Sequence, residues 1–102
     1  MGFDAEMTTT LVYGLAVAGR AVASELVSRG ESVILVDDLE SESNAEFALQ
    51  LKSEIQFRPT AAEIAALLHK SDRVVPAPGL PESHQLFDAS RRLQKPVMSE
   101  IE

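Results

Sequence analysis

The sequence contains no cysteine. That one absence removes disulfides, thiolate metal sites and cysteine nucleophiles together, and it suits a reducing, cytoplasmic setting. Tryptophan is also missing, and the aromatic set is one tyrosine, Tyr13, and four phenylalanines. A core must therefore be assembled from Val, Leu, Ile and Ala. Bases are scarce: nine Lys and Arg stand against sixteen Asp and Glu, a net charge of -7. No basic run exceeds the pair Arg91 and Arg92, so the electrostatic footprint of a nucleic-acid surface is lacking and no nucleic-acid partner is expected. An acidic chain can still hold a phosphate through backbone N–H groups. Long apolar runs are absent as well. The longest, residues 11–19, stops at Arg20 and falls well short of the ~20 residues a membrane helix needs. The first ten residues carry two acids and no base, which is not the pattern of a secretory signal.

What is present is an ordinary globular composition, 45% hydrophobic and 25% charged over 102 residues, enough for one core. Residues 1–8 read as a loose leader and 9–102 as one domain. Residues 9–13 are β-branched and apolar and stop at Gly14, which predicts a strand. Residues 18–29 carry Val22, Leu26 and Val27 at helical spacing before Gly30. Residues 32–36 are apolar throughout, as in a parallel strand buried on both faces. An acidic loop over 38–44 then leads to a helix over 45–52 and a short strand over 55–58. Thr60 with Glu63 makes a capping box for a helix over 61–69. A strand over 73–75, a helix capped by Ser83 and running to about Arg92, and a last strand at Val97 and Met98 complete the chain.

Alternation of strands and helices predicts an α/β fold: a Rossmann-like, doubly wound, parallel five-stranded sheet flanked by helices. In such sheets a ligand lies beyond the carboxyl ends of the strands, where strand order reverses. That point is expected between the first and fourth strands. They end in the small-residue loops Gly14-Leu15-Ala16-Val17-Ala18-Gly19 and Ala77-Pro78-Gly79.

The turn from Gly14 to Gly19 is the strongest motif, because it leaves a strand and opens a helix. Gly14 can make the tight turn, Gly19 lets the helix approach the sheet, and the first helical N–H groups with the helix dipole favour an anion. Ala16 replaces the middle glycine of the dinucleotide fingerprint and narrows the room for a pyrophosphate. The same stretch is not a Walker loop, since Arg20-Ala21 stands where Lys-Ser/Thr is needed. Asp37 closes the second strand, where Rossmann-type folds place an acid on the ribose hydroxyls. Asp38, Glu40 and Glu42 extend that acidic stretch. No catalytic or metal constellation is framed: His69 and His84 read as surface histidines, and the acids of 37–46 lack metal-ligand spacing. Three readings remain open from the residues: a site for an anionic ligand at the Gly14–Gly19 turn, an NAD(P)-binding Rossmann domain, and a non-catalytic interaction module.

The run Val12-Tyr13-Gly14-Leu15-Ala16-Val17-Ala18-Gly19, then Asp37, then Val74-Val75-Pro76-Ala77-Pro78-Gly79-Leu80-Pro81, His84 and the terminal Ser99-Glu100-Ile101-Glu102 resembles the N-terminal domain of the Mur ligases of peptidoglycan synthesis. The resemblance spans nearly all of the chain from Thr10. It implies a domain that binds the UDP part of UDP-N-acetylmuramoyl-L-alanine. The backbone from Ala16 to Ala18 would lie on the pyrophosphate, with Gly14, Leu15 and Gly19 shaping the turn. Asp37 and Asp38 would lie near the uridine and Gly79 on the opposite wall. It also implies absent central and C-terminal domains, which would use ATP and Mg to add D-glutamate, so that no catalytic residue and no cofactor are expected in this chain. The family commonly has Gly at Ala16, Ser at Ala77, Thr at Asp38, a base at Leu39 and Pro at Gln85.

Overall fold

The structure is a computed structural model that describes residues 8–98. Residues 1–7 of the expected leader and the terminal motif 99–102 lie outside the described residues. Four parallel strands, β1 (Thr9–Tyr13), β2 (Ser32–Asp37), β3 (Glu54–Phe57) and β4 (Arg73–Pro76), form a sheet in the order β3-β2-β1-β4. Helices α1 (Val17–Ser28), α2 (Glu42–Leu51), α3 (Ala61–His69) and α4 (Gln85–Arg92) alternate with them.

Strand alternation decides which helices cover which face. Leu11 and Tyr13 of β1 with Ile34 and Val36 of β2 pack against Ile64, Leu67 and Leu68 of α3 and Leu86 and Ala89 of α4. Val12, Val33 and Leu35 turn the other way, onto Ala23 and Leu26 of α1 and Ala48 of α2. Both faces are thus buried, which is why β2 is apolar without a break from Val33 to Val36. Reversal of strand order falls between β1 and β4, and the loops after these strands open at one end of the sheet.

The sheet has four strands, not five. Val97 makes one parallel bridge with Val74, through Val74 N on Pro96 O and Met98 N on Val74 O. Pro96 has no N–H to extend the ladder towards Lys95, and the chain beyond Met98 lies outside the described residues. Two helix starts also differ from expectation. The acidic loop is shorter than 38–44, because Ser41 Oγ accepts from Asn44 N and α2 begins at Glu42. Helix α4 is capped by His84 rather than Ser83: His84 Nδ1 accepts from Leu86 N at 3.1 Å. Thr60 and Glu63 form both bonds of the expected capping box. Among the described residues, no helix is long and apolar enough to cross a membrane.

Candidate functional site

The loops after β1, β2 and β4 lie together at the carboxyl end of the sheet, around the switch point where a ligand crevice is expected. The turn into α1 lies at its base. Gly14 has φ 109°, a conformation that costs an L side chain strain, and its N–H donates to Val36 O at 2.7 Å. A β-carbon on Gly14 would overlap that of Ala77, and one on Gly19 would overlap the carbonyl oxygen of Gly14. The two glycines let β1, β4 and α1 come together at one point. Gly79 is different: a β-carbon there would meet nothing, so this position does not require glycine for packing.

Helix α1 then starts without a cap. Ala16 is the N-cap, extended at φ -77° and ψ -170°, with no side-chain hydrogen bond and no acid in the first turn. The first N–H groups of a helix have no intrahelical partner, and those of Val17, Ala18 and Gly19 point out of the sheet end with the positive pole of the helix. Ala16, Val17 and Ala18 are exposed, Val17 to 86%.

The structure places Asp37 beside this turn but already engaged. Its Oδ2 accepts from Leu15 N at 2.6 Å and its Oδ1 from Leu39 N at 2.7 Å. One carboxylate thus holds the turn after β1 to the loop after β2. Each oxygen keeps one acceptor site beyond these bonds, so Asp37 braces the turn and still has a lone pair on each oxygen for a ligand. Arg20, which sequence reasoning weighed only as a missing lysine, is the second brace. Its Nε donates to Leu15 O at 2.9 Å, its Nη2 donates to Ser43 Oγ and Asn44 Oδ1, each at 2.8 Å, and its guanidinium lies over the Phe47 ring. No spacing rule links Arg20 to Asn44; only the packing of α1 on α2 brings them together.

Asp38, after β2, and His84, at the end of the β4–α4 loop, face each other. Asp38 Oδ1 accepts from the Tyr13 hydroxyl at 2.6 Å, and Oδ2 lies 2.9 Å from His84 Nε2. Because Nδ1 accepts the α4 capping bond, Nε2 carries the proton and donates to Asp38. His84 is therefore not a plain surface histidine: its side chain is only 14% exposed, against 50% for Asp38. Burial pushes the Tyr13 phenol well above its ordinary range, and the Asp38 carboxylate beside it, then Asp37, push the same way. For Asp38, burial alone would raise the pKa, but the hydrogen bonds from Tyr13 and His84 outweigh it and lower the value.

That shift has a sign that can be measured. A carboxylate with a folded pKa below its unfolded value contributes stability above the unfolded value, near 3.8, and loses it as pH falls through the lower folded value. Asp38→Asn should therefore flatten the acid limb of a stability-against-pH curve below about pH 4. An acid limb identical to the wild type would show that the Tyr13 and His84 bonds do not hold in solution.

The chain superposes on saccharopine dehydrogenase (L-Glu forming) from Saccharomyces cerevisiae with a TM-score of 0.73 and 16% identity, covering 93% of this chain and 22% of that one. It superposes on glutamyl-tRNA reductase from Methanopyrus kandleri with a TM-score of 0.60 and 29% identity, covering 84% and 22%. The class is thus a Rossmann-like α/β domain. In sequence, the chain is similar to UDP-N-acetylmuramoylalanine–D-glutamate ligase. The identity is 36% over 94 residues for the Protochlamydia amoebophila protein and 32% over 92 residues for that of Psychrobacter arcticus, each match covering 90% of this chain. The resemblance to the Mur ligases therefore holds over nearly the whole chain. The chain spans about a fifth of the length of these relatives, 21% and 19%. No family model matches it.

Proposed function

We propose that this chain is the substrate-binding domain of a D-glutamate-adding ligase and receives the UDP part of UDP-N-acetylmuramoyl-L-alanine. The observation that carries this reading is the uncapped, acid-free start of α1 at the switch point. It supplies several convergent N–H groups where a pyrophosphate would lie. Ala16, Val17 and Ala18 would take the pyrophosphate, and Gly14, Leu15 and Gly19 would set the turn. The uridine would lie along Asp37 and Asp38, with Gly79 on the far wall. Asp37 keeps the role of a brace and offers the ligand only what its two backbone bonds leave.

Adding an amino acid to the substrate carboxylate would need ATP and Mg in a part of the protein beyond these residues. The residues here do not fit ATP. Arg20 occupies the phosphate-lysine position of a Walker loop, but its guanidinium is tied to Leu15, Ser43 and Asn44. No catalytic step is assigned to this chain. The central and C-terminal domains of such an enzyme, and a cytoplasmic location, belong to the same proposal.

The NAD(P) reading draws on the two dehydrogenase-like folds, but the site disfavours it. Ala16 carries a methyl group where a dinucleotide site keeps glycine. Titration of the ¹⁵N-labelled chain with UDP, UDP-N-acetylmuramoyl-L-alanine and NAD separates the readings. Amide shifts at residues 16–18, 37 and 79 with the uridine ligands alone are expected. Shifts with NAD alone would replace this function by dinucleotide binding. No shift with any of the three would leave the interaction module as the better account.

A further inference from the structure

Three side chains from three different elements meet at the mouth of the crevice. Tyr13 ends β1, Asp38 follows β2, and His84 caps α4. Asp38 lies between the other two and gives one oxygen to each. The rings of Tyr13 and His84 meet edge to face, with centroids 4.9 Å apart and planes at 71°. Tyr13 is 1% exposed, so its hydroxyl is fixed by core packing rather than by solvent. His84 cannot swing away without giving up the N–H of Leu86. Asp38 is thus held by two donors whose own positions are set elsewhere, one by the sheet and one by the helix start.

A surface acid next to a surface histidine would add little, since exposed pairs are worth ~0–1 kcal/mol. This arrangement differs in what it spans. Loop 77–84, the wall opposite Asp37 and Asp38, connects to the sheet at Ala77 N on Tyr13 O and turns through Leu80 N on Ala77 O and His84 N on Pro81 O. Among the described residues, His84 carries the reach from this loop across to Asp38 on the β2 side. The resemblance to the Mur ligases places threonine at position 38, which could not accept from both partners through two carboxylate oxygens.

We propose, on the reading of the crevice as a nucleotide site, that Asp38 is a positioning residue. By accepting one proton donor from the end of β1 and one from the β4–α4 loop, it fixes the distance between the end of β2 and that loop, and so the width of the opening that receives the nucleotide. Its effect on the ligand passes through Tyr13 and His84. The other charged group facing the cluster is Asp37, whose carboxylate is engaged on the opposite side with Leu15 and Leu39.

The test uses Asp38→Asn, Tyr13→Phe and His84→Asn, with UDP as the probe. Asparagine at 84 is a good helix N-cap but too short to reach Asp38, so it separates capping from bracing. All three variants should keep the wild-type circular dichroism. UDP affinity should fall about tenfold in Asp38→Asn, the scale of a hydrogen bond to a charged group, and in the same direction in the other two. The double variant Asp38→Asn/His84→Asn should bind no worse than Asp38→Asn alone, because both break one connection. Tyr13 is the one tyrosine in a chain without tryptophan, so its emission reports on the cluster directly. A carboxylate acceptor quenches tyrosine, and the ligand-free Asp38→Asn variant should be brighter, with amide shifts at residues 77–79.

If only Asp38→Asn loses affinity while Tyr13→Phe and His84→Asn bind as the wild type does, Asp38 acts by touching the ligand and the inference is overturned. Unchanged emission and unchanged 77–79 amides in ligand-free Asp38→Asn overturn it too. A wild-type chain that ignores UDP, yet shows the emission change, instead overturns the nucleotide reading on which the inference rests and leaves the brace itself standing.

Discussion

Gly19→Ala is expected to lower the melting temperature by roughly 10–20 °C, the largest stability loss of any single methyl group in the site. The added β-carbon would fall on the carbonyl oxygen of Gly14. That oxygen belongs to the Gly14–Leu15 peptide, held before it by Gly14 N on Val36 O and at its other end by Leu15 N on Asp37 Oδ2, so it cannot swing aside as a side chain could. Overpacking of this kind costs ~1–3 kcal/mol, with the upper end fitting a rigid obstacle, and each kcal/mol moves Tm by roughly 4–8 °C at this chain length. Gly14→Ala should be comparably damaging for a different reason, combining the strain of φ 109° with overlap on the Ala77 side chain. The two mechanisms separate by rescue. Ala77→Gly should restore part of the loss in Gly14→Ala, because it removes the obstructing methyl, and none of it in Gly19→Ala. Thermal melts of the two single variants and the two double variants beside the wild type decide it. A Gly19→Ala domain within a few degrees of the wild type would mean that α1 does not sit as close to the β1 turn as described.

The same two glycines show what the sequence carries well. Gly14 and Gly19, five positions apart across a strand-to-helix turn, announce a close approach of backbone to backbone, and the structure contains that approach. The uninterrupted apolar β2 announces a strand covered on both faces, and the two helix layers cover it. Thr60 and Glu63 signal a capping box because both of its bonds are local. Where a feature depends on distant residues, the signal fails. Val97 had the composition of a strand, but its ladder ends at the missing N–H of Pro96 and reduces to one bridge. Ser41 was hidden among acids, and its cap became visible only through Asn44. His84 displaced Ser83 as a cap because its other nitrogen is drawn to Asp38, which lies 46 positions away in the chain.

The site was half legible for the same reason. Its backbone part, from Gly14 to Gly19, could be recognised because a helix start has few geometries. Its side-chain part could not. Asp37 has the position of a ribose acid, yet its carboxylate bonds Leu15 and Leu39, a use that depends on how two loops fold back on each other. Arg20 looked like the wrong residue for a phosphate loop and proved to be the tie between α1 and α2. Both residues secure the turn from outside, which leaves the donors of Ala18 and Gly19 without any acceptor from Ala16, the residue best placed to provide one.

That unfilled cap gives the second large prediction, in which stability and binding move in opposite directions. Ala16→Asp should stabilise the domain and abolish UDP binding. Ala16 is exposed and has the extended backbone of an N-cap, so aspartate fits without strain. Its carboxylate would accept from Ala18 N or Gly19 N and complement the helix dipole. Replacing alanine by aspartate at an N-cap gains ~1 kcal/mol, or roughly 4–8 °C in Tm. A bound pyrophosphate needs the same N–H groups. Losing two charge-assisted bonds at ~1.5 kcal/mol each corresponds to about a hundredfold in affinity, and the new charge adds repulsion. Ala16→Ser is the control, because it caps without charge and should keep more of the affinity at a similar Tm. Ala16→Arg should block the crevice sterically while the domain stays folded. Calorimetric titration with UDP beside thermal melts reads both quantities on one sample. A more stable Ala16→Asp chain that binds UDP as tightly as the wild type would place the pyrophosphate away from α1. A more stable chain that has lost the ligand would show that alanine, a poor helix cap, stands at position 16 because the open donors serve the nucleotide better than they serve the helix.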